Sequence, residues 1–342
     1  MPIIVKAPKG QRISALDFTK GALVLIMVLY HWINYFIGPQ WPHYNYLRFL
    51  TPSFIFITGF MISNVYLSKY AAADPRLSKR LFTRGLKLMA IFFALNIARF
   101  FLVPVLSNGV LPANPLDPNN IYAVFVSGNL PVVGSKLISF SILVPISYLL
   151  MLSGALMLPY RLYRYTFQLA SALLLLSILV LGLVGERSTI LEHLTIGMLG
   201  LMSGFAPILK INDFVQHPYL LGIAYVCYTI AVMFWGVPFL LLMVGVPLSL
   251  MIIYLLAGGE RDPGPIRSEV ILLGKYSLFG YIAQMVILQF LVAGLRHINL
   301  GVPVLGISFV AAFALTILSV EVVDRLRARA ASIDKLYRAV FA

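Results

Sequence analysis

The chain has little charge and almost no cysteine, and each shortage excludes a class of protein. Only 11% of its 342 residues are charged, whereas a soluble domain has about 25%. The one cysteine, Cys227, excludes a disulfide framework and a thiolate metal site. With a hydrophobic fraction of 60% and a mean hydropathy of +0.92, the composition indicates a polytopic membrane protein whose length supplies helices rather than soluble domains.

Several catalytic signatures are also missing. The sequence contains no P-loop, no GxGxxG after a strand, no HExxH and no GxSxG. It has no carboxylate–histidine cluster with the helical spacing of a metal site. We therefore expect no metal and no tightly bound cofactor. The chemistry left to the chain depends on histidine, arginine, lysine and hydroxyl or amide side chains.

Apolar windows of about 20 residues predict ten membrane-spanning helices. They lie at 16–36, 48–68, 86–106, 137–158, 166–184, 190–209, 218–236, 237–257, 270–294 and 302–323. The net charge of +14 does not indicate a nucleic-acid partner, because most Lys and Arg fall in or beside segments on one side, as the positive-inside rule requires. We predict an all-α bundle with both termini cytoplasmic. It forms a single transmembrane domain over 1–342, with a basic amphipathic tail from about 324 to 342.

One ionisable side chain lies inside the first span. A helical projection at 100° per residue puts one stripe of side chains on a single face: Asp17, Lys20, Val24, Val28, His31 and Tyr35. Lys20 and His31 are separated by about 16 Å of helix. Lys20 is then at one edge of a hydrocarbon core about 30 Å thick, and His31 is near its middle. An ionisable group at that depth predicts a functional site. The alternative is a neutral imidazole bonded to a neighbouring helix.

Other polar groups lie in or beside the spans. Arg99 is roughly 20 Å from the cytoplasmic end of the third span, close to the depth of His31. It should face a pore or a paired carboxylate or carbonyl rather than lipid. Glu192 and His193, at the outer start of the sixth span, are predicted to lie on an outer vestibule. The long outer connection 107–136 is predicted to be a lid or a re-entrant segment.

Two further groups of residues have more than one interpretation. The connection between the second and third spans is predicted to be a basic loop containing Lys69, Arg76, Lys79, Arg80, Arg84 and Lys87. It could serve as a topology signal, an anionic-lipid contact or a phosphate site. In the ninth span, Ser277, Tyr281 and Gln284 share a stripe. That stripe is either a pore wall or an interhelical hydrogen-bond seam.

The residues LDFTKG at 16–21, followed by His31, resemble the first-span signature of the transmembrane acyltransferase superfamily. This superfamily includes the acyltransferase-3 and heparan-glucosaminide N-acetyltransferase-like membrane proteins. Its pattern is LDxxRG with ten residues between the arginine and a histidine, and Lys20 replaces that arginine here. FIFITGF at 54–60 is similar to the family's FxFxSGF. LGKYSLFGY at 273–281 is similar to LGxxSLxxY, with Gln284 where many members have histidine. Arg80 and Arg84 resemble the basic start of the third span.

The resemblance implies transfer of an acyl group, acetyl in the simplest case, from cytoplasmic acyl-CoA to a hydroxyl or amine of an extracytoplasmic glycan or glycolipid. His31 would act as general base or as a transient acyl carrier. We predict Asp17, Lys20 and Arg99 as its catalytic partners. The predicted donor contacts are Arg80, Arg84, Lys87, Lys275, Ser277, Tyr281 and Gln284. The acceptor side would include Glu192 and His193. The expected location is the bacterial plasma (inner) membrane.

Two other functions remain compatible with the sequence. A carrier or flippase for an anionic lipid-linked sugar is favoured by Arg99 and the Gly/Pro-interrupted spans, but the internal repeat of many transporters is missing. A catalytically inactive scaffold is favoured by Lys20 and Gln284, because lysine lacks the bidentate fork of arginine. The expected partners are membrane lipids, acyl-CoA and the glycan acceptor, and a homo-oligomer is compatible with the sequence.

Overall fold

The computed structural model describes residues 13–38, 42–67, 75–106, 118–129, 140–160, 163, 165–206, 217–257, 264–295 and 301–341. Within these ranges the chain is almost entirely helical and contains no strand. Nine helices in the described ranges are long and apolar enough to cross a membrane. The prediction of a polytopic all-α membrane protein is therefore confirmed.

Thirteen α-helices make up the described chain. They are α1 (Ser14–Phe36), α2 (Leu50–Met61, continued by a π-helix over Ile62–Leu67), α3 (Pro75–Leu106), α4 (Pro118–Tyr122), α5 (Leu143–Tyr160), α6 (Thr166–Leu183), α7 (Thr189–Ser203), α8 (Pro218–Trp235), α9 (Phe239–Leu256), α10 (Pro265–Lys275), α11 (Ser277–Leu295), α12 (Val302–Arg329) and α13 (Ala331–Phe341).

The third helix begins much earlier than the predicted residue 86. Its first residue is Pro75, and the fixed φ of proline suits a first helical position. Leu77 and Leu81, one turn apart, are buried, and the Ser78 hydroxyl donates to the Gly154 carbonyl of α5 at 2.6 Å. Arg76 to Lys87 therefore lie on the first turns of α3. The prediction that these residues form a loop is wrong, whereas Lys69 lies outside the described residues.

Three later spans also differ from their predicted bounds. The predicted helix 190–209 is wrong in length, because α7 ends at Ser203 after 15 residues, about 22 Å at the rise of an α-helix. The predicted helix 270–294 is two helices, which meet at the non-helical Tyr276. The last span continues to Arg329, and a short break at Ala330 separates it from α13.

The described chain packs as two compact units, one formed from residues 54–213 and the other from residues 10–53 and 214–342. In the first unit, α3 packs along α5, and α7 contacts α2 where both helices carry glycine. A Cβ on Gly59 would overlap the Gly197 carbonyl, and a Cβ on Gly200 would overlap the Phe56 carbonyl. The glycines of α2 and α7 therefore mark a close helix contact, because only glycine allows the two backbones to approach so closely.

The described part of the long outer connection belongs to the first unit and packs on the start of α7. Gly128 has φ of 71°, and a Cβ there would crowd the backbone of Ile190. The Asn129 amide donates to the Arg187 carbonyl at 2.7 Å, and the Ser188 hydroxyl donates to the Val126 carbonyl at 3.2 Å. Residues 118–129 are thus a packed turn beside α7. The rest of the predicted lid lies outside the described residues.

In the second unit one carboxylate of the C-terminal helix α13 pairs with two arginines. Asp334 Oδ1 accepts from Arg327 Nε at 2.9 Å and from Arg327 Nη2 at 2.6 Å, and Asp334 Oδ2 lies 2.7 Å from Arg338. The hydrogen bonds from Arg327 hold the pKa of Asp334 below its ordinary value. These contacts are at the surface, so salt should weaken them.

The lowered pKa of Asp334 predicts the pH at which α13 loosens. The stabilisation is complete above the ordinary aspartate pKa of about 3.9 and is lost as the pH falls through the lower folded value. A spin label at position 339, in a Cys227→Ser background, should have constant mobility from pH 8 to 5 and gain mobility below about pH 4. Asp334→Asn should be mobile at every pH. Loosening between pH 6 and 5 would contradict this assignment.

Candidate functional site

The predicted motif residues of the first and ninth spans all lie in the second unit, where α1 packs on α10 and α11. The closest approach is between two glycines. A Cβ on Gly21 would overlap the Val270 carbonyl, and a Cβ on Gly274 would overlap the Asp17 carbonyl. Glycine at both positions therefore lets the α1 and α10 backbones touch, which joins the LDFTKG segment to the LGKYS segment.

Beyond the glycine contact, the stripe predicted on α1 faces α11. Val24 Cγ1 lies beside Gly280, 3.3 Å from the position of a Cβ on that glycine. One turn farther, Val28 and Leu288 belong to the same buried apolar cluster. The ring centroids of His31 and Tyr281 are 6.3 Å apart, and their planes are inclined by 47°. The structure thus brings His31 of the first motif beside Tyr281 of the late motif.

Neighbouring contacts fix the orientation of this part of α1. The Trp32 Nε1–H donates to the Ser308 hydroxyl of α12 at 3.0 Å, and the Trp32 ring meets Phe309 edge to face with centroids 5.2 Å apart. The Tyr30 ring lies against His31 with centroids 5.1 Å apart. Because its chain neighbours on both sides are packed, the imidazole is held by a rigid helix surface.

Gln284 lies deep among α1, α11 and α12. It sits one turn from Gly280 and one turn from Leu288 on the same stripe of α11, and both of those residues contact α1 and α12. On α12, Val320 Cγ2 lies 3.7 Å from the position of a Cβ on Gly280, and the hydroxyl of the buried Thr316, one turn before Val320, donates to the carbonyl of Ala312 at 2.7 Å. Gln284 is 0% exposed. This side chain is therefore fully enclosed by the protein.

Three buried polar atoms in this part of the second unit have no hydrogen-bond partner among the described residues. They are His31 Nε2 and both side-chain amide atoms of Gln284, Nε2 and Oε1. An unsatisfied buried polar atom costs about 1 to 3 kcal/mol, so such atoms require an explanation. Among the described residues, no neighbouring helix supplies a hydrogen bond to these three atoms.

The charged residues of the motifs lie toward the start of α1 and at the break between α10 and α11. Lys20 Nζ is 2.5 Å from Asp17 Oδ1, an ion pair one turn long on α1. Lys275 is exposed and Ser277 is partly buried, on either side of Tyr276. Thus Lys20 has a charge partner within its own helix, whereas the ammonium of Lys275 is open to an anionic ligand.

The other predicted site residues lie in the first unit. Arg99 is 8% exposed although Phe101 on the same helix is 69% exposed, so the arginine side chain is covered by the protein. Glu192 and His193 are partly buried in the first turns of α7, where the Ser188 side chain caps the helix. Arg99, Glu192 and His193 thus belong to the first unit, and His31 and its neighbours belong to the second.

The predicted donor contacts on α3 also belong to the first unit. Arg80 is exposed, and Arg84 and Lys87 are partly buried. The Arg84 guanidinium lies 5.7 Å from the centroid of the Tyr66 ring, a cation–π distance. The three cations follow one another at intervals of three or four residues, so they share one face of the helix.

No family model, curated protein or solved structure matches the chain. The resemblance to the transmembrane acyltransferase superfamily stays a prediction from the motifs. Among the described residues, no group of three or more His, Cys, Asp or Glu side chains could hold a metal ion.

Several residues around the candidate site are not among those predicted from the sequence. Ser308 of α12 accepts a hydrogen bond from Trp32, Thr316 of the same helix is fully buried, and their spacing of eight residues puts both on one helical face. That periodicity is the signal that could have found them. The hydrogen-bond network around Tyr276 is also not predicted from the sequence. It depends on the break between α10 and α11, which no residue pattern indicates.

The variant Gln284→Leu tests whether the side-chain amide of Gln284 has a structural role or binds a ligand. Leucine has a similar volume and removes two unpaired polar atoms, so the melting temperature in detergent should stay the same or rise, since about 1 to 3 kcal/mol of desolvation cost is relieved. Gln289→Leu, on another face of α11, is the matched control and should leave both stability and activity unchanged. A large fall in melting temperature for Gln284→Leu would instead identify a hydrogen-bond seam.

Proposed function

We propose that the chain is an integral membrane acyltransferase. It moves an acyl group, acetyl in the simplest case, from acyl-CoA to a hydroxyl or amine of a glycan or glycolipid. The proposal places it in a bacterial plasma membrane with both termini in the cytoplasm, so that the donor reaches the site from the cytoplasmic side and the acceptor from the other side.

One observation carries the proposal, the buried and unpartnered Nε2 atom of His31 beside Tyr281. An imidazole nitrogen that serves packing alone would be satisfied by a neighbouring carbonyl or hydroxyl. A general base must instead keep its lone pair available for the proton that it removes. The joining of α1 to α10 and α11 supports the proposal, because it gathers the residues of the first and late motifs in one place.

The reaction balances without a metal ion or a cofactor. His31 Nε2 removes the proton from the acceptor O–H or N–H as that atom attacks the thioester carbonyl. The carbon–sulfur bond then breaks, the new ester or amide forms, and the imidazolium returns its proton to the leaving thiolate. In the alternative route, His31 first takes the acyl group and transfers it in a second step. Acyl-histidine trapped by rapid acid quench would favour that route.

Gln284 is the proposed donor to the oxyanion. Its amide Nε2–H is buried and unpartnered, and a neutral donor in a dry site stabilises negative charge on a developing oxyanion more strongly than in water. Loss of one such donor costs about 10² to 10³ in kcat in other enzymes. Gln284→Leu should therefore slow transfer by roughly that factor while stability is kept.

The Lys20–Asp17 pair is proposed to fix the cytoplasmic end of the site. The ion pair lies on the same face of α1 as His31, about 16 Å away along the helix. Lys275, exposed at the end of α10, is proposed to meet the donor phosphates. An extended pantetheine arm of about 20 Å spans the half-thickness of a bilayer core of about 30 Å. The arm can therefore join an anionic head at Lys275 to a thioester at His31.

The roles of the site residues in the first unit are proposed separately from that of His31. Arg80, Arg84 and Lys87 are proposed phosphate contacts, Arg99 is a proposed catalytic residue on the path of the acceptor, and Glu192 and His193 are proposed acceptor-side residues. Each group can be tested by its own charge-removing variants. A change confined to the KM of the donor identifies a donor contact, and a change confined to the KM of the acceptor identifies an acceptor contact.

The test uses sealed vesicles that contain the purified protein. With labelled acetyl-CoA outside and inside-out orientation, the label should appear in a glycan or glycolipid fraction that is exposed to the lumen. A carrier or flippase would move an unmodified lipid-linked sugar and leave acetyl-CoA intact. Movement of sugar without transfer of label would reject the proposal in favour of the carrier.

A further inference from the structure

A cluster of aromatic and charged side chains surrounds Tyr276, the residue between α10 and α11. Tyr276 is buried. Its hydroxyl donates to Asp324 Oδ1 at 2.6 Å and accepts from Arg327 Nη1 at 3.0 Å. Both partners lie near the end of α12, so this helix holds the break in a fixed conformation.

One guanidinium joins the three elements that meet there. Arg327 belongs to α12, and its Cζ lies 5.2 Å from the centroid of the Tyr276 ring and 4.1 Å from that of the Tyr337 ring. The same side chain donates two hydrogen bonds to Asp334 of α13. Lysine could not do all this, because only the planar guanidinium both stacks on rings and donates a fork of hydrogen bonds.

The aromatic face of α13 is occupied by the protein rather than left for lipid. The ring centroids of Tyr337 and Tyr276 are 5.3 Å apart, and those of Phe341 and Phe279 are 6.0 Å apart. The exposed face carries Lys335 and Arg338. The amphipathic pattern of the tail is therefore explained by packing on the start of α11.

We infer that α13 positions the α10–α11 break, with Arg327 as its positioning residue. Tyr276 is the direct chain neighbour of Lys275 and Ser277, so a constraint on Tyr276 fixes the backbone from which both side chains extend. This inference rests on the proposed function insofar as Lys275 and Ser277 meet the donor. The role of Arg327 is to raise donor affinity by keeping these contacts in place, and it takes no part in the acyl transfer itself.

The consequence for kinetics is specific. Loss of the contacts that Arg327 makes with Tyr276, Tyr337 and Asp334 should weaken donor binding. It should leave the chemical step intact, because His31 and Gln284 lie farther along α1 and α11. Arg327→Ala should raise the KM for acetyl-CoA about tenfold and leave kcat within about twofold. Arg327→Lys, which keeps the charge but loses the fork, should have an intermediate effect.

A second readout does not depend on enzymatic activity. Amide hydrogen exchange over residues 270–280 of the full chain in lipid nanodiscs should rise about tenfold in Arg327→Ala, because the break is no longer held. Arg325→Ala is the matched control, since Arg325 is on the same helix, 68% exposed and paired with Glu321 one turn earlier. It should change neither exchange nor KM. Tyr276→Phe is a milder variant, which keeps the ring and should show a smaller rise.

The two readouts distinguish failure of this inference from failure of the proposed function. Unchanged exchange in Arg327→Ala would overturn the positioning role whether or not the chain is a transferase. Raised exchange with an unchanged KM for acetyl-CoA would overturn the effect on the donor. If the parent protein transfers no acyl group, the proposed function fails, and the exchange measurement alone then decides whether Arg327 holds the break.

Discussion

Replacement of His31 by alanine is expected to lower kcat for acetyl transfer by about 10² to 10⁴, because general base catalysis contributes a factor of that size. The alanine variant keeps α1 and its glycine contact with α10, so the donor should still bind with a similar KM. A loss confined to kcat marks a group that acts in the transition state. The measurement is the initial rate of label transfer in vesicles at saturating acetyl-CoA.

The chain offers a matched histidine control. His217 is exposed at the start of α8, in the same unit as His31 but outside the proposed site. His217→Ala should retain the full rate. Full activity in His31→Ala would reject the assignment, and an equal loss in both variants would attribute the effect to folding rather than to the imidazole.

The second large effect is expected at Gly274. A Cβ on this residue would overlap the Asp17 carbonyl and crowd the nitrogen of Gly21, and neither backbone atom can move without separating α1 from α10. Overpacking of a well-packed core typically costs about 1 to 3 kcal/mol, and more where backbone must shift. Gly274→Val should therefore give little monodisperse protein in detergent, and Gly274→Ala should show a lowered melting temperature.

Gly306→Ala is the control for this effect. Gly306 also lies within a long apolar helix, α12, but a Cβ there would meet no heavy atom within 4 Å. Alanine is preferred over glycine in a helix by up to about 1 kcal/mol, so this variant should be as stable as the parent protein or more stable. A stable Gly274→Val protein would show that α1 and α10 do not touch in the way described.

The sequence predicts the site best where the information is local to one helix. The stripe on α1 is a matter of helical spacing, and the structure places its members Val24, Val28 and His31 toward α11. The Asp17–Lys20 pair follows from the same spacing. The glycines of α7 predict close packing because no other residue type permits it.

The features that the sequence does not predict depend on tertiary contacts. The basic residues at the start of α3 are typical of a loop. They are helical because Leu77 and Leu81 on the same turns are buried. The apolar window 270–294 does not indicate the break at Tyr276, because hydropathy carries no information on backbone conformation. The lack of a partner for Gln284 is likewise invisible in the sequence, since it depends on which atoms of α1 and α12 lie nearby.

The most direct test of the central claim is to measure the free thiol released from acetyl-CoA by the purified protein in vesicles, with and without a glycan acceptor. The proposal predicts that thiol appears only when acceptor is present, in equal amount to the acetylated product, and that His31→Ala releases almost none. Thiol release that is the same in His31→Ala and in the parent protein would contradict the claim that this imidazole performs acyl transfer.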